Sequence, residues 1–463
     1  MILDLLRQTL FVRKFVDDVR SIEENSLFAF EVPSALLGGR ASTTTSTICA
    51  LLPPDFRFYY QIVAIVLFQN IFNAILGVLM FKIVVEPRQQ RTAMQTEKGS
   101  SSNSDSGDRQ DAASDTLAFL FALGIAMPCV VLEPVYVIRA LEIRNAGLIM
   151  LFLATPIVNS LRITEALFGF APVPTRTSLW NYVVYFSCLF GMEFDLGNPK
   201  RASWEFFRKR LATLGRDFAI VSVVVSVLKP CGYEFFETGD IAAAVYSMDH
   251  TLQEMVSWRH LLNNFFVAFL LSASLSQETI GVSLLYNIFY GVQTYEVVLN
   301  PMLKSKSPSD FWGRRWNVLV HTGLKNGVYK PTRKRTSSKL LAVVATFVVS
   351  GIIHEYVNYV LFSGKYNGNG HGITMNDEDA SYKITWKQML FFGWNGILVS
   401  LEYCIGHWKI FQWMSRSLPP IVVTALVVCS ALPLAHLFTG DWIKHGFFDA
   451  VHIGTPIIVC RRE

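Results

Sequence analysis

Apolar runs long enough to cross a bilayer recur from Phe58 almost to the C-terminus, and no other feature limits the fold of this chain so tightly. Crossing roughly 30 Å of hydrocarbon takes about 20 helical residues. The first run, Phe58 to Val85, is apolar apart from a few amides, and further runs lie at 116–138, 146–170, 179–196, 217–231, 261–275, 279–299, 338–362, 388–408 and 419–438. Several are short or interrupted by proline. The pattern predicts an all-α integral membrane protein, a multi-pass bundle of about eight to ten transmembrane helices. Pro128, Pro134 and Pro156 fall inside these runs and predict kinks, which membrane helices tolerate when neighbours satisfy the freed backbone groups.

Composition agrees. Hydrophobic residues make up 51% and charged ones only 17%, where soluble domains carry about a quarter charged. A net charge of +5 over 463 residues is too small to imply nucleic acid as a partner. The seven cysteines form no C-x-x-C pair and mostly lie in or beside apolar runs, which argues against a zinc site or a disulfide framework. Residues 1–57 lack the organisation of a secretory signal; Leu3, Leu6, Leu10 and Val16 recur at helical spacing among Arg7, Arg13, Lys14 and Arg20, as in an interfacial amphipathic helix. The membrane domain then occupies 58–463, with a Ser- and Gly-rich disordered loop at 98–115. Basic residues concentrate at 200–216 and 304–339, and the positive-inside rule places both in the cytosol. Residues 234–254, which are acidic, are lumenal if 261–299 crosses an odd number of times.

Two groups of residues can carry chemistry. His354 and Glu355 interrupt an apolar run, where ionisable groups are costly and face a cavity or a partner. On a helix Ser350, His354 and Asn358 share one face, whereas Glu355 points about 100° away, toward Gly351 and Tyr359. Upstream, Asp310-Phe-Trp-Gly-Arg-Arg-Trp-Asn317 is dense in aromatic residues and arginine, and His321 lies one helical turn beyond Asn317. His436 is a rival intramembrane histidine without such a motif before it. His445, Asp449 and His452 have spacings compatible with a helical metal face, but no third histidine is near and no metal is expected. Neither clustered histidine boxes nor a P-loop occur.

Phe311-Trp-Gly-Arg-Arg-Trp-Asn317, His321, Tyr329-Lys-Pro331 and Ser350-Gly-Ile-Ile-His-Glu-Tyr356 together resemble the membrane-bound O-acyltransferases (MBOAT), most of all the wax synthase branch, which is related to diacylglycerol and sterol acyltransferases. The resemblance is specific over Pro308 to Asn358. It implies an MBOAT-like fold and esterification of a lipid alcohol by acyl-CoA in the endoplasmic reticulum membrane, with no cofactor beyond the acyl-CoA donor. It also implies that His354 is catalytic and Asn317 assists it, with Trp312, Arg314, Arg315, Trp316, His321, Ser350, Glu355 and Asn358 as candidate substrate-binding residues. The three residues between Phe-Trp and Trp-Asn match the wax synthase form and favour a long-chain fatty alcohol as acceptor over diacylglycerol or sterol. A chemical rationale is available: neutral imidazole can take the proton of a poorly nucleophilic alcohol near pH 7, and an asparagine amide can bond the developing oxyanion. A transporter or channel is the alternative of another class, with Gln69, Asn70, Asn73 and Asn263 as pathway residues.

Overall fold

A computed structural model describes residues 28–33, 46–97, 115–229, 233, 251–362, 383–451 and 454–462. The expected N-terminal amphipathic helix, nearly all of the 98–115 loop and most of the acidic stretch 234–254 lie outside the described residues. The helices used below are α1 Phe56–Arg91, α2 Asp115–Ala140, α3 Ala146–Leu167, α4 Leu179–Ser187, α5 Trp204–Leu228, α6 Trp258–Tyr290, α7 Val318–Leu324, α8 Lys330–Thr336, α9 Lys339–Phe362, α10 Lys387–Ile405, α11 Lys409–Ser417 and α12 Pro420–Lys444.

Seven of the described helices, α1, α2, α3, α5, α6, α9 and α12, are long and apolar enough to cross a membrane, fewer than the runs in the sequence suggest. The difference has local causes. Run 179–196 folds only into the nine-residue α4, and the chain then reverses in a hairpin of β3 (Phe194–Asp195) and β4 (Asn198–Pro199), with Leu196 and Gly197 at φ 48° and 83°. The runs 261–275 and 279–299 begin in one helix, α6, because the polar residues between them bond to neighbours instead of ending it. Ser276 donates to Asp217 at 2.6 Å, and Gln277 donates to Thr455 at 3.4 Å. Gly291, at φ 63°, then closes α6. One continuous helix is suited to a single crossing, which is what the expected placement of both basic connections on one side calls for. Run 388–408 becomes α10, whose apolar centre is bounded by Lys387 and Glu402.

Pro134 and Pro156 lie within continuous helix in α2 and α3. The chain is not wholly helical, however. β1 (Phe28–Pro33), β2 (Ser46–Leu52) and β5 (Ile457–Arg462) form an antiparallel sheet in the order β1-β2-β5. β1 and β2 belong to the 1–57 segment but follow the Leu3 to Arg20 stretch expected to be helical, and β-branched Thr47 and Ile48 in β2 suit a pleated surface.

Buried amides join the helices. Thr155 bonds Gln69 at 2.7 Å and Asn159 bonds Asn73 at 2.8 Å, linking α1 to α3. Tyr286 of α6 donates to Asn70 at 2.9 Å. These amides hold helices together rather than lining a path, which is how polar groups are commonly used where no water competes.

Candidate active site

Helices α9 and α10 approach closely because glycine lies at their crossing. A Cβ on Gly351 would stand 3.1 Å from the Cα of Met389, and one on Gly396 would stand 3.1 Å from the Cβ of Phe347. Small residues permit such approach in membranes. The contact brings Phe392 of α10 over the ring of His354, with centroids 4.3 Å apart and planes inclined by 32°. Phe438 of α12 meets the same imidazole edge-on at 5.4 Å.

The imidazole has one hydrogen bond that fixes its tautomer. His354 Nδ1 lies 2.8 Å from the backbone carbonyl of Ser350, one turn earlier. A carbonyl can only accept, so Nδ1 carries the proton and Nε2 presents a lone pair. Ser350 thus contributes its backbone to the site, and its side chain is buried on the same helix face.

Glu355 and Asn358 serve neighbouring helices. The Glu355 carboxylate accepts the Gln388 amide N–H at 2.9 Å in the first turn of α10, where Trp386 offers no side-chain cap. A carboxylate suits a helix N-terminus. Gln388 in turn donates to the carbonyls of Leu437 and Phe438 at 3.1 and 3.2 Å, and Trp442 donates to Asn358 at 2.8 Å. Lys387 pairs with Asp441 at 2.9 Å. Polar contacts therefore tie α9, α10 and α12 together and set Phe392 and Phe438 around His354.

The aromatic motif enters from the other side. Trp312 donates from Nε1 to Asn395 at 3.0 Å, and its ring lies 5.8 Å from Phe392 and 5.9 Å from Phe391. Trp316 stacks on Phe311 at 5.3 Å. Phe311, Trp312, Trp316 and Phe391, with Phe438, line a narrow cavity of about 30 Å³ in which Thr439 is the polar residue. Arg315 braces the motif by donating to Asp310 at 2.7 Å and to the Leu299 carbonyl at 3.2 Å, while Arg314 is exposed. Burial pushes the Asp310 carboxyl up, but bonds from Arg315 and the Lys306 N–H outweigh it and hold the group below the ordinary carboxylate range.

Asn317 is the N-cap of α7. Its Oδ1 accepts the Val320 N–H at 3.1 Å, so the side-chain NH₂ is the group left to donate. His321 follows one turn later, and burial with nearby Lys325 lowers its pKa to about 4, leaving it neutral at physiological pH. No hydrogen bond joins Asn317 to His354 among the described residues; Trp312 packs on Phe392, which lies over His354, and Trp316, the residue before Asn317, packs on Trp312 at 5.8 Å.

The other candidates stand apart. His436 is buried and meets His260 edge-on at 4.9 Å. His445 stacks on Phe362 at 4.5 Å, its Nδ1 2.7 Å from the Asp441 carbonyl. The Asp449 side chain and His452 lie outside the described residues.

The sequence signature described as "Membrane bound O-acyl transferase family" matches residues 295–375, a stretch that holds Trp312, Asn317, His321 and His354. Relatives from Arabidopsis thaliana align over wider parts. Acyl-CoA–sterol O-acyltransferase 1 is 33% identical over 144 residues, 28% of this chain and 36% of that protein. Probable long-chain-alcohol O-fatty-acyltransferase 3 is 32% identical over 213 residues, 41% of this chain and 54% of that protein. Over residues 295–375 the chain carries the signature of the membrane-bound O-acyltransferase superfamily, and its relatives named as long-chain-alcohol acyltransferases make it similar to the wax synthase-like branch. A further relative, probable long-chain-alcohol O-fatty-acyltransferase 9, is 30% identical over 131 residues, 26% of this chain and 33% of that protein. The chain thus spans between a third and about half of the length of these superfamily members.

Sequence reading missed several residues of this candidate site. Phe392 and Phe438 give no signal, since aromatic residues in apolar runs are ordinary. Asn395 and Gln388 do: each is an amide inside or beside a span, and both are almost wholly buried. The same signal marks Arg162 and Glu165 in α3, which are 3% and 0% exposed.

Proposed function

We propose that this protein transfers an acyl group from acyl-CoA to a lipid alcohol, with His354 as general base. The observation that carries the proposal is the Nδ1 bond of His354 to the Ser350 carbonyl, because it leaves Nε2 unprotonated in an aromatic setting. Nε2 takes the alcohol proton as the oxygen attacks the thioester carbonyl. The tetrahedral intermediate collapses, the C–S bond breaks, and the imidazolium returns the proton to the CoA thiolate. No acyl-enzyme is needed. The Asn317 NH₂ bonds the developing oxyanion; such a donor is typically worth roughly 3 kcal/mol, a hundredfold or more in rate.

Acyl-CoA arrives from the cytosol at the mouth formed by 304–339, where Arg333, Lys334 and Arg335 are exposed and attract a polyanion. The acceptor enters from the bilayer, and residence in the endoplasmic reticulum membrane suits both substrates. Topology supports this orientation. β2 precedes α1 and β5 follows α12, yet the two strands pair, so the chain enters and leaves on one face and crosses an even number of times. With α10 as the eighth crossing, the basic stretches 200–216 and 304–339 share the other face.

A long-chain fatty alcohol, giving a wax ester, is the favoured acceptor: the three-residue motif spacing and the named long-chain-alcohol relatives support it. A sterol is the second reading, favoured by the 33% identical sterol acyltransferase. A transporter is weakened by the inter-helix bonds of Gln69, Asn70 and Asn73.

The experiment that tests the base is His354→Ala in purified protein, with initial rates of ester formation. The substitution should remove turnover while the protein inserts and elutes as wild type does. Retention of more than a few per cent of wild-type rate would exclude His354 as the base.

A further inference from the structure

One buried carboxylate stands outside the mechanism and touches the motif directly. Glu165, in α3, is 0% exposed and accepts hydrogen bonds at both oxygens: the Tyr185 hydroxyl donates to Oε1, and the Asn326 amide donates to Oε2 at 3.3 Å. Arg162, one turn earlier, lies over the Tyr185 ring at 4.3 Å and donates to the Cys188 carbonyl at 2.6 Å. The pair of charges is thereby set in a network anchored on α4 and the chain just beyond it.

Asn326 belongs to a widened helical turn, Lys325–Tyr329, that joins α7 to α8. Such turns often occur where a side chain must be re-aimed for function. The backbone on either side of Asn326 is seated against α3 too closely for any side chain. A Cβ on Gly323 would stand 2.8 Å from Leu161 Cδ1, and one on Gly327 would stand 2.9 Å from the Leu161 carbonyl oxygen. At the opposite end of the motif, Glu402 of α10 accepts both the Ser309 N–H at 2.7 Å and the Ser309 hydroxyl at 2.8 Å. Asn317 lies between these two anchors.

We propose that Glu165 is a positioning residue: by holding Asn326 it fixes, from α3, the segment that presents Asn317 to the reaction. The proposal rests on the acyl-transfer reading for its kinetic effect, while the clamp itself is a property of the backbone that can be read without turnover.

The test is a charge conflict and its relief. Asn326→Asp sets a carboxylate against Glu165; adding Glu165→Gln restores one donor and one acceptor with the roles exchanged. In full-length protein in detergent or nanodiscs, Asn326→Asp should speed amide hydrogen exchange across 318–336 and lower kcat by between about tenfold and a hundredfold, the scale of a misplacement near 1 Å. The KM for acyl-CoA should change by less than about twofold. The double variant should recover both exchange protection and kcat, which a general loss of stability would not allow. Should Asn326→Asp fail to fold, Asn326→Ala removes the donor without the conflict and should give the same changes at smaller size. Unchanged exchange and kcat in either single variant, or no recovery in the double variant, would overturn the proposal. If wild type esterifies nothing, the acyl-transfer reading falls, and hydrogen exchange still decides whether Glu165 holds the segment.

Discussion

At the scale of the residue, the imidazole of His354 is prepared by the helix that carries it. Its i−4 carbonyl, from Ser350, accepts a hydrogen bond from Nδ1–H at 2.8 Å, so the tautomer follows from helix geometry and not from a separate acid. Asn317 combines two tasks on one amide, with Oδ1 capping α7 and the NH₂ left to donate. The tasks can be separated. Asn317→Asp keeps a capping acceptor and loses the donor, whereas Asn317→Ala loses both. Both variants should lose a hundredfold or more in kcat. Only the alanine variant should also lose about 1 kcal/mol of stability, read as a lower thermal midpoint. Wild-type kcat in the aspartate variant would remove the NH₂ from the mechanism. The helical spacing of Ser350, His354 and Asn358 was legible in the sequence because the long apolar run around them leaves few other faces to consider. The task of Glu355 was not, since its partner is a backbone N–H of α10, a helix more than 30 residues further on.

At the scale of the element, the site depends on how closely α9 and α10 pack. Gly351 and Gly396 allow that approach, and the reward is Phe392 against His354. Gly351→Val should push the helices apart at Met389, at a cost of about 1–3 kcal/mol in stability, and lower turnover as the aromatic wall moves. Gly393→Ala is the control, since a Cβ there meets nothing within 4 Å, and it should leave turnover unchanged. Equal turnover in both variants would mean that the α9–α10 approach does not set the site. Helix existence was readable from apolar runs, but helix continuity was not. Ser276 and Gln277 look like a break between two short runs, and only the Asp217 and Thr455 partners make them part of one helix.

At the scale of the whole molecule, strands near the two ends of the described chain meet in the β1-β2-β5 sheet, and on the proposed topology this pairs the crossings and sets the basic connections on a single face. The sequence pattern suggested the membrane bundle and the basic mouth, because both arise from composition along the chain. The sheet arises from pairing residues about 400 positions apart in sequence, which no local pattern reveals. On the proposed function, this orientation would bring acyl-CoA from the basic face and a lipid alcohol from the bilayer to one imidazole. The most direct measurement is a competition: purified wild-type protein receives one acyl-CoA with hexadecanol, diacylglycerol and a sterol together, and the esters are separated by mass. Ester should form with wax ester dominant, and the same mixture with the His354→Ala variant should give none. Steryl ester or triacylglycerol as the main product would change the acceptor alone, whereas no ester from any alcohol would contradict the account.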